Sequence, residues 1–72
     1  MAVHSFTVVY EPAEDGGYYA RVPALDLTTE GETLAEAKEM ARDAIEGYLE
    51  AASLLGKPIP ADVTVEQIEV TA

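Results

Sequence analysis

The stretch from Thr33 to Gly56 most constrains what this chain can become, because it carries a start signal, a face and a stop signal for one long helix. Thr33-Leu34-Ala35-Glu36 has the spacing of a capping box, in which the Thr33 hydroxyl accepts from the Glu36 amide and the Glu36 carboxylate reaches back to the Thr33 amide. Apolar residues follow at Leu34, Ala37, Ala41, Ala44, Ile45, Tyr48, Leu49, Ala52 and Leu55, the period of a one-sided helix. Glu36, Glu39, Asp43, Glu46 and Glu50 fall mostly outside that stripe. Gly47 costs up to about 1 kcal/mol against alanine, but the surrounding alanines, leucines and glutamates outweigh it. Gly56 supplies a left-handed cap, Lys57 complements the helix dipole, and Pro58 and Pro60 forbid continuation. Several small inward-facing residues predict a helix lying close to whatever it covers.

The segments before the helix read as strands. Val3-His4-Ser5-Phe6-Thr7-Val8-Val9-Tyr10 is rich in β-branched and aromatic residues, with Phe6, Val8 and Tyr10 on one face. Pro12 to Gly17 is a turn, since Asp15-Gly16-Gly17 reaches positive φ cheaply. Tyr18 to Val22 is the return strand, with Tyr18, Ala20 and Val22 on one side and Tyr19 and Arg21 on the other; Pro23 ends it. Leu25 to Glu30 alternates again, placing Leu25 and Leu27 inward, and Gly31 closes it. After the helix, Val63 and Val65 lie in one phase and Ile68 and Val70 in the other, which predicts a fourth strand with a bulge near Glu66-Gln67. The expected fold is α+β, ordered β-β-β-α-β, an antiparallel sheet covered on one face by a single helix.

Seventy-two residues form one domain, residues 1–72, without room for a second core. A chain this short buries only about 60% of its unfolded surface, so it needs a supplement to its core. There is no cysteine and a single histidine, His4, which removes disulfides and thiolate metal sites. Oligomerisation is the remaining supplement, so a homo-oligomer, a dimer or tetramer, is expected through the free sheet face or an edge strand. Fourteen acids against four bases give a net charge of −10. Such a surface repels a phosphate backbone, so direct nucleic-acid binding is not expected, whereas a basic partner would be steered toward it. No apolar run reaches the length of a membrane span, and no basic-then-apolar leader precedes the first strand. Those features lead to a cytoplasmic protein.

No constellation here reads as an active site. Glu30, Glu32 and Glu36 gather where carboxylates favour the positive end of the helix dipole, and Asp15 prepares a turn. Glu11, Asp26 and Glu30 lie near strand ends with no basic cluster beside them for a substrate phosphate, so a metal-dependent nuclease would require three or more of Glu11, Asp26, Glu30 and Glu32 to converge. His4 reads as a partly buried bystander, and Ser5 and Ser53 have no activating partner. Gly16-Gly17 lacks the spacing of a phosphate-binding loop. The expectation is a non-enzyme with no catalytic residue, metal or cofactor. Tyr18 and Tyr48 read as core; Tyr19 beside Arg21 lies on the face one helix cannot hide, and both residue types are enriched at binding hot spots.

Several segments together resemble the HicB antitoxin family and its short relatives: Phe6-Thr7-Val8 with Tyr10, Glu14-Asp15-Gly16-Gly17-Tyr18-Tyr19-Ala20-Arg21-Val22-Pro23, Gly31-Glu32-Thr33-Leu34-Ala35-Glu36-Ala37, Ala41-Arg42-Asp43-Ala44-Ile45 with Tyr48-Leu49, and Gly56-Lys57-Pro58-Ile59-Pro60. The resemblance spans essentially the whole chain and rests on scaffold motifs. It implies a partial ribonuclease-H-like fold without the nuclease's acidic set. It also implies a role in a type II toxin–antitoxin system, where the antitoxin masks a small basic HicA toxin, an mRNA interferase. On that reading the candidate contact residues are Tyr10, Glu11, Glu14, Asp15, Tyr19 and Arg21. Ala24-Leu25-Asp26-Leu27 replaces the family's usual proline-glycine turn. No helix-turn-helix or ribbon-helix-helix extension follows the last strand, so operator binding by this polypeptide is not expected. The alternative is an orphan, non-catalytic oligomeric scaffold with no toxin.

Overall fold

A computed structural model describes residues 3–72. It contains β1 (Val9–Pro12), β2 (Tyr18–Val22), a single 3-10 turn (Pro23–Leu25), β3 (Leu27–Gly31) and α1 (Leu34–Leu55). The strands form one antiparallel sheet in the order β1-β2-β3 and the helix lies against β2 and β3, an α+β arrangement in the expected order.

The helix limits follow from its caps. The Glu36 amide donates to Thr33 Oγ1 at 3.1 Å, as the capping box requires, but Glu36 Oε1 accepts from the Glu32 amide at 3.1 Å, one residue earlier than the motif's usual partner. At the other end Gly56 adopts φ 66°; its amide donates to Ser53 O at 3.2 Å and the Lys57 amide to Ala52 O at 2.9 Å, the paired closure of a Schellman motif.

The hairpin register pairs Tyr10 with Ala20 and Glu11 with Tyr19, and on the other side Ala20 with Thr29 and Tyr19 with Glu30. Period-two alternation then divides the sheet. Tyr10, Tyr18, Ala20, Val22 and Thr29 face the helix, while Val9, Glu11, Tyr19, Arg21, Thr28 and Glu30 face away from it. The turn closes through the Ala13 amide on Gly17 O at 3.0 Å, with Gly17 at φ 79°. A side chain on Gly17 would also stand 2.6 Å from Gly31 O, so the hairpin turn packs directly on the end of β3.

The core is small in both senses. Ala20, Ala37 and Ala41 are fully buried against one another, with Val8, Tyr10 and Tyr18 packed around them; among the described residues, Val22 and Leu25 are the larger side chains removed from solvent. Alanine against alanine lets the helix approach so closely that a methyl on Gly31 would lie 2.8 Å from the carbonyl carbon of Glu36 and 2.9 Å from Ala37 Cα.

Three expectations change. Residues 3–8 carry no ladder, so β1 begins at Val9 and continues through Pro12. Proline is tolerated there because β1 is an edge strand with one side free of partners. The third strand starts at Leu27, because Pro23-Ala24-Leu25 winds into a 3-10 turn closed by Asp26 in the left-handed region at φ 53°. Leu25 is buried from that turn rather than from a strand. The fourth strand is not formed: residues 57–72 have no regular structure, and Val65, Ile68 and Val70 are 64–85% exposed. Their composition suits a strand, but the described chain offers them no ladder. Leu34 and Leu55, counted in the apolar stripe, also remain exposed at the two helix ends. The helix of 22 residues extends about 33 Å, against about 17 Å for a five-residue strand.

A side-chain clamp ties residues 57–72 to the strand end of the body. The Thr7 amide donates to both Asp62 carboxylate oxygens at 2.9 and 3.0 Å, and the Thr7 hydroxyl donates to Oδ2 at 2.7 Å. The Thr7 amide first, then the Thr7 hydroxyl and the Val63 amide, hold the Asp62 carboxyl below its ordinary value of 3.8. A carboxylate with a depressed folded-state value contributes fully above its unfolded value and loses that contribution as pH falls through the lower one. The clamp is therefore present at neutral pH and opens below pH 3.8. A pH titration of the Thr7 amide resonance should show its midpoint below that value; a midpoint at or above it would refute the clamp.

Candidate functional site

The sheet face opposite the helix is where exposed aromatic and charged side chains meet. Its central pair is Arg21 and Glu11, whose Nε and Oε1 lie 2.7 Å apart with both side chains about half exposed (52% and 51%). They are diagonal neighbours, because Glu11 pairs with Tyr19 and Arg21 with Val9. Tyr19 lies between Glu11 and Glu30 across the sheet and is 41% exposed. An exposed ion pair of this kind contributes about 0–1 kcal/mol to stability, so holding the fold together does not account for it. It does tie the Arg21 guanidinium to β1 across the hairpin.

The hairpin turn extends this face. Glu11, Pro12, Ala13, Glu14, Asp15 and Tyr19 line one shallow depression. Around the turn, a second concavity is walled by Asp15, Glu30, Glu32 and Glu36 together with Gly16, Gly17 and Gly31. The close packing of Gly17 on Gly31 brings these carboxylates from the turn, β3 and the helix start to one end of the molecule. That end is strongly negative and has no cation of its own among its lining residues. Among the described residues, no three His, Asp or Glu side chains converge closely enough to hold a metal ion.

Of the six candidate residues, Glu11, Tyr19 and Arg21 share the outer sheet face, and Glu14 and Asp15 join them from the turn. Tyr10 does not. It faces the helix, half-buried against the alanine cluster, since its partner Ala20 is fully buried. Glu30, next to Tyr19 on the neighbouring strand, and Glu32 and Glu36 belong to the same negative end, although they were not among the candidate contact residues. The signal that could have found Glu30 is the register: with Tyr19 outward, its cross-strand partner must be outward too. His4 is exposed and stacks on Phe6, ring centroids 6.4 Å apart, away from this face.

Among the described residues, no helix is both long and apolar enough to cross a membrane. No protein-family model matches the chain. Similarity appears instead to individual proteins. A UPF0150 protein of Synechocystis sp. is 33% identical over 70 residues, covering 94% of this chain and 89% of that protein. A UPF0150 protein of Thermoplasma acidophilum is 38% identical over 68 residues, covering 93% of this chain and 97% of that protein. Matches at this identity, nearly end to end in both partners, place the chain in a family: it belongs to UPF0150, a family of uncharacterised proteins.

Proposed function

We propose that this UPF0150 chain is a HicB-like antitoxin module of a type II toxin–antitoxin system, a cytoplasmic, non-enzymatic protein that binds and neutralises a small basic mRNA interferase of the HicA type. The observation that carries the reading is the outer sheet face. Tyr19, Arg21 and Glu11 stand exposed on rigid strands beside a rim of Glu14, Asp15 and Glu30. Strand residues lose little conformational freedom on docking, and tyrosine and arginine are the types that dominate binding hot spots. The negative rim would steer a basic partner and repel RNA, so the toxin is engaged and its substrate is not. The sequence resemblance to HicB antitoxins supports the same assignment. An orphan oligomeric scaffold is the second reading, favoured by the exposed apolar residues of segment 63–70.

Mixing the protein with a HicA-type toxin encoded beside it should give a stoichiometric complex that weakens with salt and restores mRNA in a cleavage assay. Tyr19→Ala should loosen that complex by about tenfold to a hundredfold, the range of a hot-spot residue worth roughly 1.4–3 kcal/mol. Absence of a complex at low salt would sink the antitoxin reading in favour of the scaffold.

A further inference from the structure

Segment 63–70 has strand chemistry and, among the described residues, no ladder partner. Val63, Val65, Ile68 and Val70 are 37–85% exposed although they are among its most apolar residues. The molecule is correspondingly drawn out: its radius of gyration is 14.3 Å, against about 11 Å for a compact chain of this length.

A groove of matching character lies on the same chain. Phe6, Val8, Ile45 and Leu49 form its apolar floor, between the residues before β1 and the helix, on the free edge of the sheet. Lys38 and Arg42, two of only four basic residues, line it against a single acid, Glu46. The arm carries Glu66 and Glu69 among its apolar residues. Apolar side chains thus have an apolar floor to meet, and the arm's acids have the groove's bases.

We infer that two copies exchange these arms: residues 63–70 of each lie in the groove of the other, pairing along the free edge that leads into β1. The Thr7–Asp62 clamp fixes the arm's root beside that groove, because Thr7 stands between Phe6 and Val8. A two-fold arrangement then lets one contact serve twice. Eight extended residues reach about 26 Å, longer than any strand of the sheet. The phase change between Val65 and Ile68 marks a bulge, which turns both apolar pairs to the groove. The exchange also supplies what the alanine-floored monomer lacks, large aliphatic side chains removed from water. It stands independently of any toxin.

The test is the solution mass of the intact chain by sedimentation equilibrium at micromolar concentration, for the native sequence and for Val65→Asp/Ile68→Asp. Both positions are exposed in the single chain, so this variant keeps its fold and its far-ultraviolet dichroism. The native chain is expected at twice the monomer mass and the arm variant at the monomer mass. A groove variant, Ile45→Asp, should also be monomeric, and mixing it with the arm variant should restore a dimer, because one intact arm then meets one intact groove. A dimer that survives the arm substitutions would overturn the exchange. So would a monomeric native chain. In that event hydrogen exchange on amides 63–70 identifies the occupant: protection means the arm fills its own groove, and full exchange means a different partner uses it.

Discussion

Gly31→Ala should unfold or nearly unfold the protein, with a loss of about 3 kcal/mol or more, at the upper end of what overpacking costs. The added methyl has no room to move into. It would meet backbone, the Glu36 carbonyl carbon at 2.8 Å and Ala37 Cα at 2.9 Å, so neither a rotamer change nor a flexible neighbour can relieve it. The helix would have to lift from β3 at its capped end, breaking contact between Ala37 and Ala20 in the core. The Glu32–Glu36 hydrogen bond spans the same connection and would be pulled with it. Gly47→Ala is the matched control. A methyl there meets nothing within 4 Å, so the change should stabilise by up to about 1 kcal/mol through helix propensity. Thermal unfolding of the two variants checks the pair: opposite shifts are expected, and equal ones would refute the close approach.

Ala20→Leu should be the second most damaging change. Ala20 is fully buried at the centre of the middle strand, facing Ala37 and Ala41. Three additional carbons at this point force the helix outward, at about 1–3 kcal/mol. A domain of this size has on the order of 4–11 kcal/mol in total, so the loss is a large share of it. The expected fall in melting temperature is about 8–16 °C for a 2 kcal/mol loss in a small domain. A leucine accepted without cost would mean that the sheet and helix do not touch through alanine. The outer face offers the contrast, since Thr28 opposite Arg21 is exposed and changes there leave the core untouched.

What could be read from the sequence divides along a physical line. The helix was legible to the residue because its determinants are local: Thr33 and Glu36 start it, Gly56 ends it, and no distant partner is needed. The hairpin was legible for the same reason, through Asp15-Gly16-Gly17. Residues 3–8 and 63–70 have the β-branched composition of strands, but a strand exists only where another backbone answers it, and composition says nothing about that. Asp26 hides its left-handed turn inside a Leu-Asp-Leu alternation that imitates a strand. For the candidate surface, alternation alone already groups Tyr10 with Phe6 and Val8 rather than with Tyr19, and Tyr10 and Val8 both pack on the alanine cluster. Bringing Glu30, Glu32 and Glu36 to the same end as the hairpin turn required the packing of Gly17 on Gly31, which no local pattern encodes.

The alanine floor of the core has a thermal consequence. Heat capacity of unfolding scales with the apolar surface newly hydrated, and alanines hydrate little of it. A single chain whose buried residues are four alanines, Val22 and Leu25 therefore has a shallow stability curve, changing slowly between cold and warm conditions. Its folded population responds less to temperature than to the company it keeps.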